Sequence, residues 1–219
     1  MSPRCVVRTM AAALLIPTAA GAQSFEVAAG GFVVQRRIEY RGAFYQQSGL
    51  CSSVAGTVRA GRLRAAWRLY AGTLAGASGA PNADARLRAE ATALEVVASP
   101  ALSLGVQREV RRFESDAGVT VWEMMGGAVR LEPQFGIRGL RGLVDLSVLG
   151  AGGQRGGADF GSAVQTAVGA SFNPGDGRFR VRLAFRFERY DQPESATGPQ
   201  RLEQFSGLAV EAALRLGRR

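Results

Sequence analysis

The sequence predicts an all-β fold: a closed antiparallel up-and-down transmembrane β-barrel of about eight to ten strands. Three observations predict it. The first residues have the layout of an export signal, two-residue alternation runs through most of the chain after them, and no later segment approaches the ~18 continuous apolar residues of a membrane-spanning helix. If such a chain spans a membrane, it does so with strands.

Arg4 and Arg8 make a positive start, Met10 to Ile16 an apolar centre, and Ala20-Gly21-Ala22 the small residues that a signal peptidase reads. Residues 1–22 are therefore expected to be a signal peptide and residues 23–219 one barrel domain. Cys5 precedes the apolar run, so no lipid anchor is expected there. The remainder keeps a single cysteine, Cys51, and can form no intramolecular disulfide. The formal charge of the whole chain is +9, carried by Arg alone, for Lys and His are both absent.

The clearest strand runs from Arg178 to Glu188. Phe179, Val181, Leu183, Phe185 and Phe187 fall on one face, and Arg178, Arg180, Arg182, Arg186 and Glu188 on the other. Arg62 to Thr73 repeats the design, with Leu63, Trp67 and Leu69 opposite Arg62, Arg64, Arg68 and Tyr70. Arg86 to Val97 does so again, with Leu87, Ala89, Ala91 and Ala93 facing away from Arg86, Arg88 and Glu90. A last strand, with Leu208, Val210 and Leu214 against Glu211 and Arg215, is expected to close the barrel. Weaker strands fit at about 24–34, 51–60, 101–113, 119–131, 143–150 and 162–173. Ala60-Gly61, Ser99-Pro100 and Asn173 to Gly177 are tight turns, and 35–50, 75–84, 151–161 and 191–200 longer loops. Glu132 to Gly142 breaks that alternation with an extended connection on the short-turn side.

On these features the chain resembles the small outer-membrane β-barrel proteins of Gram-negative bacteria, the superfamily that includes the OmpA-like and OmpX-like barrels. The resemblance implies an outer-membrane location, outer-membrane lipid as partner, and the barrel-assembly machinery as partner during insertion. Such families usually end in an aromatic residue, whereas this chain ends Leu214-Arg-Leu-Gly-Arg-Arg219. The implied roles are structural, adhesive or narrow passage. Strands near ten residues favour a bilayer, since those of soluble domains cluster at about 5 to 6. The alternative is a soluble periplasmic lipocalin-like barrel that binds an apolar small molecule, because alternation alone has no inside or outside.

Without His there is no Ser/His/Asp catalysis and no histidine zinc site, and one thiol makes no metal cluster. Gly169-Ala-Ser171-Phe-Asn173 lacks the last glycine of a nucleophile elbow, and Gly150 to Gly157 lacks the Lys of a phosphate loop. No enzyme activity, cofactor or metal is expected. Nor is nucleic acid, because the Arg residues are spread over many strands without an aromatic stacking platform. What carries chemistry is the charged face. Arg at the bilayer midplane costs about 2–4 kcal/mol, so Arg62, Arg64, Arg68, Arg86, Arg88, Arg178, Arg180, Arg182 and Arg186 are expected to line the lumen, or else to lie at the membrane interfaces. Glu90, Glu188, Glu203 and Glu211 would pair with them there. Leu63, Trp67, Leu69, Phe179, Val181, Leu183, Phe185, Phe187, Leu208, Val210 and Leu214 would face lipid. The charged face would fill the lumen, or else leave a water-filled path favouring small anions.

Overall fold

A computed structural model describes residues 24–76, 84–116, 118–155, 161–174, 178–193 and 200–216. The expected signal peptide lies outside them. Ten strands succeed one another: β1 (Ser24–Tyr40), β2 (Ala43–Ala60), β3 (Leu63–Gly76), β4 (Ala85–Ser99), β5 (Leu102–Ser115), β6 (Gly118–Leu131), β7 (Leu140–Arg155), β8 (Ser162–Phe172), β9 (Phe179–Gln192) and β10 (Arg201–Leu216). Each pairs antiparallel with its chain neighbours, and β1 pairs with β10 to close the barrel. Closure leaves no strand edge, which is what a spanning sheet requires.

Three expectations about strands are corrected. Residues 151–155 are not loop but the end of β7. Residues 35–50 are not a long loop: β1 runs on to Tyr40 and β2 restarts at Ala43. The reversal takes only Arg41 and Gly42, both at positive φ (51° and 73°), as a tight two-residue hairpin turn demands. The polar doublets Arg36-Arg37 and Gln46-Gln47 hide the alternation in the sequence. Arg36 and Gln47 point inward while Arg37 and Gln46 point out. The second half of the 101–113 segment is likewise regular strand. Gln107, Glu109 and Arg111 point into the lumen, and Arg108 points outward beside Glu123 of the next strand, its Nε 2.9 Å from Oε1.

Side-chain direction is inverted relative to a soluble protein. On β9, Phe179, Val181, Leu183, Phe185 and Phe187 are all exposed on the outer wall, while Arg180, Arg182, Arg186 and Glu188 are buried. Those five outward positions run about 27 Å along the strand, or roughly 20 Å of height at a tilt of ~40°, close to the apolar band of membrane barrels. The band is not even around the wall. On β4 only Leu94 and Val96 continue it before Thr92, Glu90 and Arg88 take over, and on β5 Leu102, Leu104 and Val106 give way to Arg108.

The interior is filled by matching bulk with its absence across the ladder. Tyr70 lies opposite Ala89, and Arg68 opposite Ala91. At some inward positions only glycine fits: a Cβ on Gly207 would run into the Val33 carbonyl oxygen and lie 2.8 Å from the Phe32 ring.

Candidate functional site: the filled lumen

The lumen holds two layers of side chains. Toward the end that carries the β1–β2 turn, the layer is aromatic with two arginines set into it. Arg111 of β5 is completely buried and reaches across the barrel. Its Nη2 donates to Glu188 Oε2 of β9 at 2.6 Å and to the Tyr70 hydroxyl of β3, and Nε donates to Glu109 Oε1 at 3.0 Å. Its guanidinium carbon stands 4.5 Å from the Tyr190 ring centre and 4.8 Å from that of Phe205. The Tyr190 hydroxyl donates to Glu188 Oε2 at 3.0 Å and accepts from Gln165 Nε2 at 2.9 Å. Trp122 packs on Phe113 and Tyr190, with ring centres 4.9 and 5.3 Å apart.

Arg36 of β1 is held by two bonds to one oxygen of Glu203, 2.8 Å from Nε and 2.6 Å from Nη2, and by Gln47 Oε1 at 2.9 Å. It lies 4.1 Å over the Phe113 ring. Eight strands, all but β4 and β7, contribute these side chains that meet at this level. A guanidinium kept from water is held by carboxylates on its donors and rings on its faces, and both arginines have them, with Arg111 Nη1 alone left buried without a hydrogen-bond partner.

Toward the opposite end, where β1 begins and β10 ends, the layer is ionic. Glu211 accepts Arg186 at 3.3 Å, with Arg68 at 3.7 Å and Arg182 at 3.9 Å. Glu26 lies between Arg180 and Arg182. Arg64 pairs with Glu95 at 3.3 Å, and Arg130 binds Asp145 in a fork at 2.6 and 3.0 Å. Between the layers lies a cavity of about 80 Å³ lined by Arg68, Gln107, Asp145 and Gln165 among others. That is room for a few waters at ~30 Å³ each.

Of the residues expected in the lumen, Arg64, Arg68, Arg180, Arg182, Arg186, Glu188, Glu203 and Glu211 lie on the inner face. Five do not: for Arg86, Arg88 and Glu90 the expectation is corrected, while Arg62 and Arg178 lie at strand ends, the other position it allowed. Arg86, Arg88 and Glu90 point outward from β4, which turns Leu87, Ala89 and Glu95 inward instead. The physical reason lies on the neighbouring strands. The aromatic layer leaves room opposite Tyr70 only for alanine, and the Glu95 carboxylate must meet Arg64 across the β3–β4 ladder. Arg62 and Arg178 are exposed beyond the ends of β3 and β9. The residues expected to face lipid lie on the outer wall, Trp67 and Leu69 half-buried there, with Trp67 Nε1 donating to Glu90 at 3.3 Å. This direction overturns the alternative of an apolar-lined soluble barrel, which needs Val181, Leu183 and Phe185 inside.

Among the lumen residues missing from the expectation are Arg36, Glu26, Glu95, Glu109, Arg111, Arg130, Asp145 and the aromatic set Phe113, Trp122, Tyr190 and Phe205. For Tyr190 a signal exists: it shares the two-residue phase of Arg186 and Glu188. Cys51 is buried as a free thiol in the same layer.

No protein-family model matches the sequence, and neither does any curated protein. Among solved structures, the outer membrane protease OmpT from Escherichia coli is similar at TM-score 0.55 and 7% identity, over 89% of this chain and 96% of that one. Neisserial surface protein A is similar at TM-score 0.44 and 10% identity, over 87% and 96%. The translocator domain of the autotransporter NalP from Neisseria meningitidis gives TM-score 0.44 and 12% identity, over 97% and 95%. At 7% identity the likeness to OmpT is one of fold alone, a closed antiparallel barrel.

Proposed function

We propose that this chain is an outer-membrane barrel that acts through its wall and its ends, in a structural or adhesive role, and passes no solute through its centre. The complete burial of Arg111, with partners on β3, β5 and β9, is the observation that carries this reading. A charge so enclosed leaves no continuous water path beside it, and an open anion channel needs its Arg residues hydrated. The apolar outer wall supports the membrane location, and the absence of His supports a role without hydrolysis. Sharing a barrel with a protease at 7% identity adds no catalytic claim. The test is planar-bilayer conductance of protein extracted by detergent from the outer-membrane fraction. No steady current is expected. Sustained anion-selective current, or recovery of the mature protein in the periplasmic fraction without detergent, would refute the reading.

A further inference from the structure

At the end where β1 begins and β10 ends, the ionic layer opens into a cavity of about 80 Å³ whose charge is strongly one-sided. Arg59 of β2, Arg64 of β3, Arg141 of β7, Arg215 of β10 and the β9 pair Arg180 and Arg182 all line it, with Arg130 behind them, against two carboxylates, Glu26 and Glu132. Both carboxylates are already engaged. Glu26 lies between Arg180 and Arg182, and Glu132 stands 3.9 Å from Arg64.

Arg59, Arg141 and Arg215 form no salt bridge with any carboxylate among the described residues. Arg59 donates from Nε to the Gly61 carbonyl at 3.1 Å, and the Nε of Arg215 is buried with no hydrogen-bond partner. Guanidinium groups crowded from several strands repel one another, and an unsatisfied buried donor costs more still. Nothing in the packing of the described residues demands three Arg at one mouth with no carboxylate paired to them. A multivalent oxyanion relieves both penalties, since each guanidinium offers a planar fork that matches phosphate oxygens. The volume suits a group of a few heavy atoms.

We infer that this vestibule is a binding site for a phosphate dianion, free or as the end of a small phosphomonoester, held by Arg59, Arg141 and Arg215. The inference stands apart from the sealing of the lumen above, because the site opens at one end and holds its ligand whether or not the far layer conducts.

The test is titration of inorganic phosphate into the barrel folded in zwitterionic micelles, read by calorimetry, with chloride matched for ionic strength. Saturable binding at one site is expected for phosphate and none for chloride. Arg141→Gln with Arg215→Gln should weaken binding about ten-fold or more. Arg88→Gln with Arg112→Gln, on the outer wall, should leave it unchanged and so control for net charge. Heat-dependent gel mobility shows whether each variant is folded, and Arg59→Gln, nearer the open rim, replaces the double variant if that one is not. Ethyl phosphate distinguishes the sources: binding as tight as inorganic phosphate assigns the site to monoesters, and much weaker binding to the free ion. Absent saturation, equal binding of chloride, or undiminished affinity in the folded vestibule variants would overturn the proposal.

Discussion

Arg36 and Glu203 show what a charged residue needs in order to live inside this wall. Both are almost fully buried, bonded to each other twice, and capped by the Phe113 ring and Gln47. Glu203→Leu removes the anion and leaves the cation, so it should destabilise the barrel by about 3–5 kcal/mol in urea unfolding from micelles. Arg36→Met added to it should recover most of that loss, since a buried ion pair is often worth no more than a packed apolar pair. A single variant that costs under ~1 kcal/mol would mean that water reaches Arg36.

At the level of the strand, phase decides everything and sequence gives phase only relative to itself. β9 is legible because five apolar and four charged residues separate cleanly, so its outer and inner faces are assigned once lipid is assumed outside. β4 shows the limit of that reasoning. Arg86, Arg88 and Glu90 mark one face, but the strand's turning toward the lumen is set by Tyr70, Phe113 and Arg64 on its two neighbours, which no local pattern reports. The same holds for β1, β2 and β5, where adjacent polar residues divide between lumen and outer wall. Glycine position is a second non-local demand: Gly207 is fixed by the Val33 carbonyl across the β1–β10 closure. Gly207→Ala should therefore force the closing ladder apart and cost about 1–3 kcal/mol, read from the unfolding midpoint. Gly127→Ala, which meets open space, should cost less than half as much.

For the whole molecule, strand count, closure and the general split into greasy exterior and charged interior were within reach of pattern reading. The stratification of the interior was not. Aromatic residues and arginines from distant strands assemble one layer, and each of those side chains looks ordinary in its own segment. The consequence is a barrel with a lid of packed rings at one end and an ionic basin at the other, two environments that a uniform Arg/Glu filling would not produce.

The uneven apolar band has a mechanical corollary. A cylinder whose greasy collar is tall along β9 and short along β4 and β5 suffers a hydrophobic mismatch on one flank only, so in a bilayer of constant thickness it leans, or draws the headgroups down against Arg108. Insertion should then be most efficient in short-chain lipids, and Arg108→Leu with Glu123→Leu should shift that optimum toward longer chains. An optimum indifferent to the pair would mean that the barrel stands upright with Arg108 tolerated where it is.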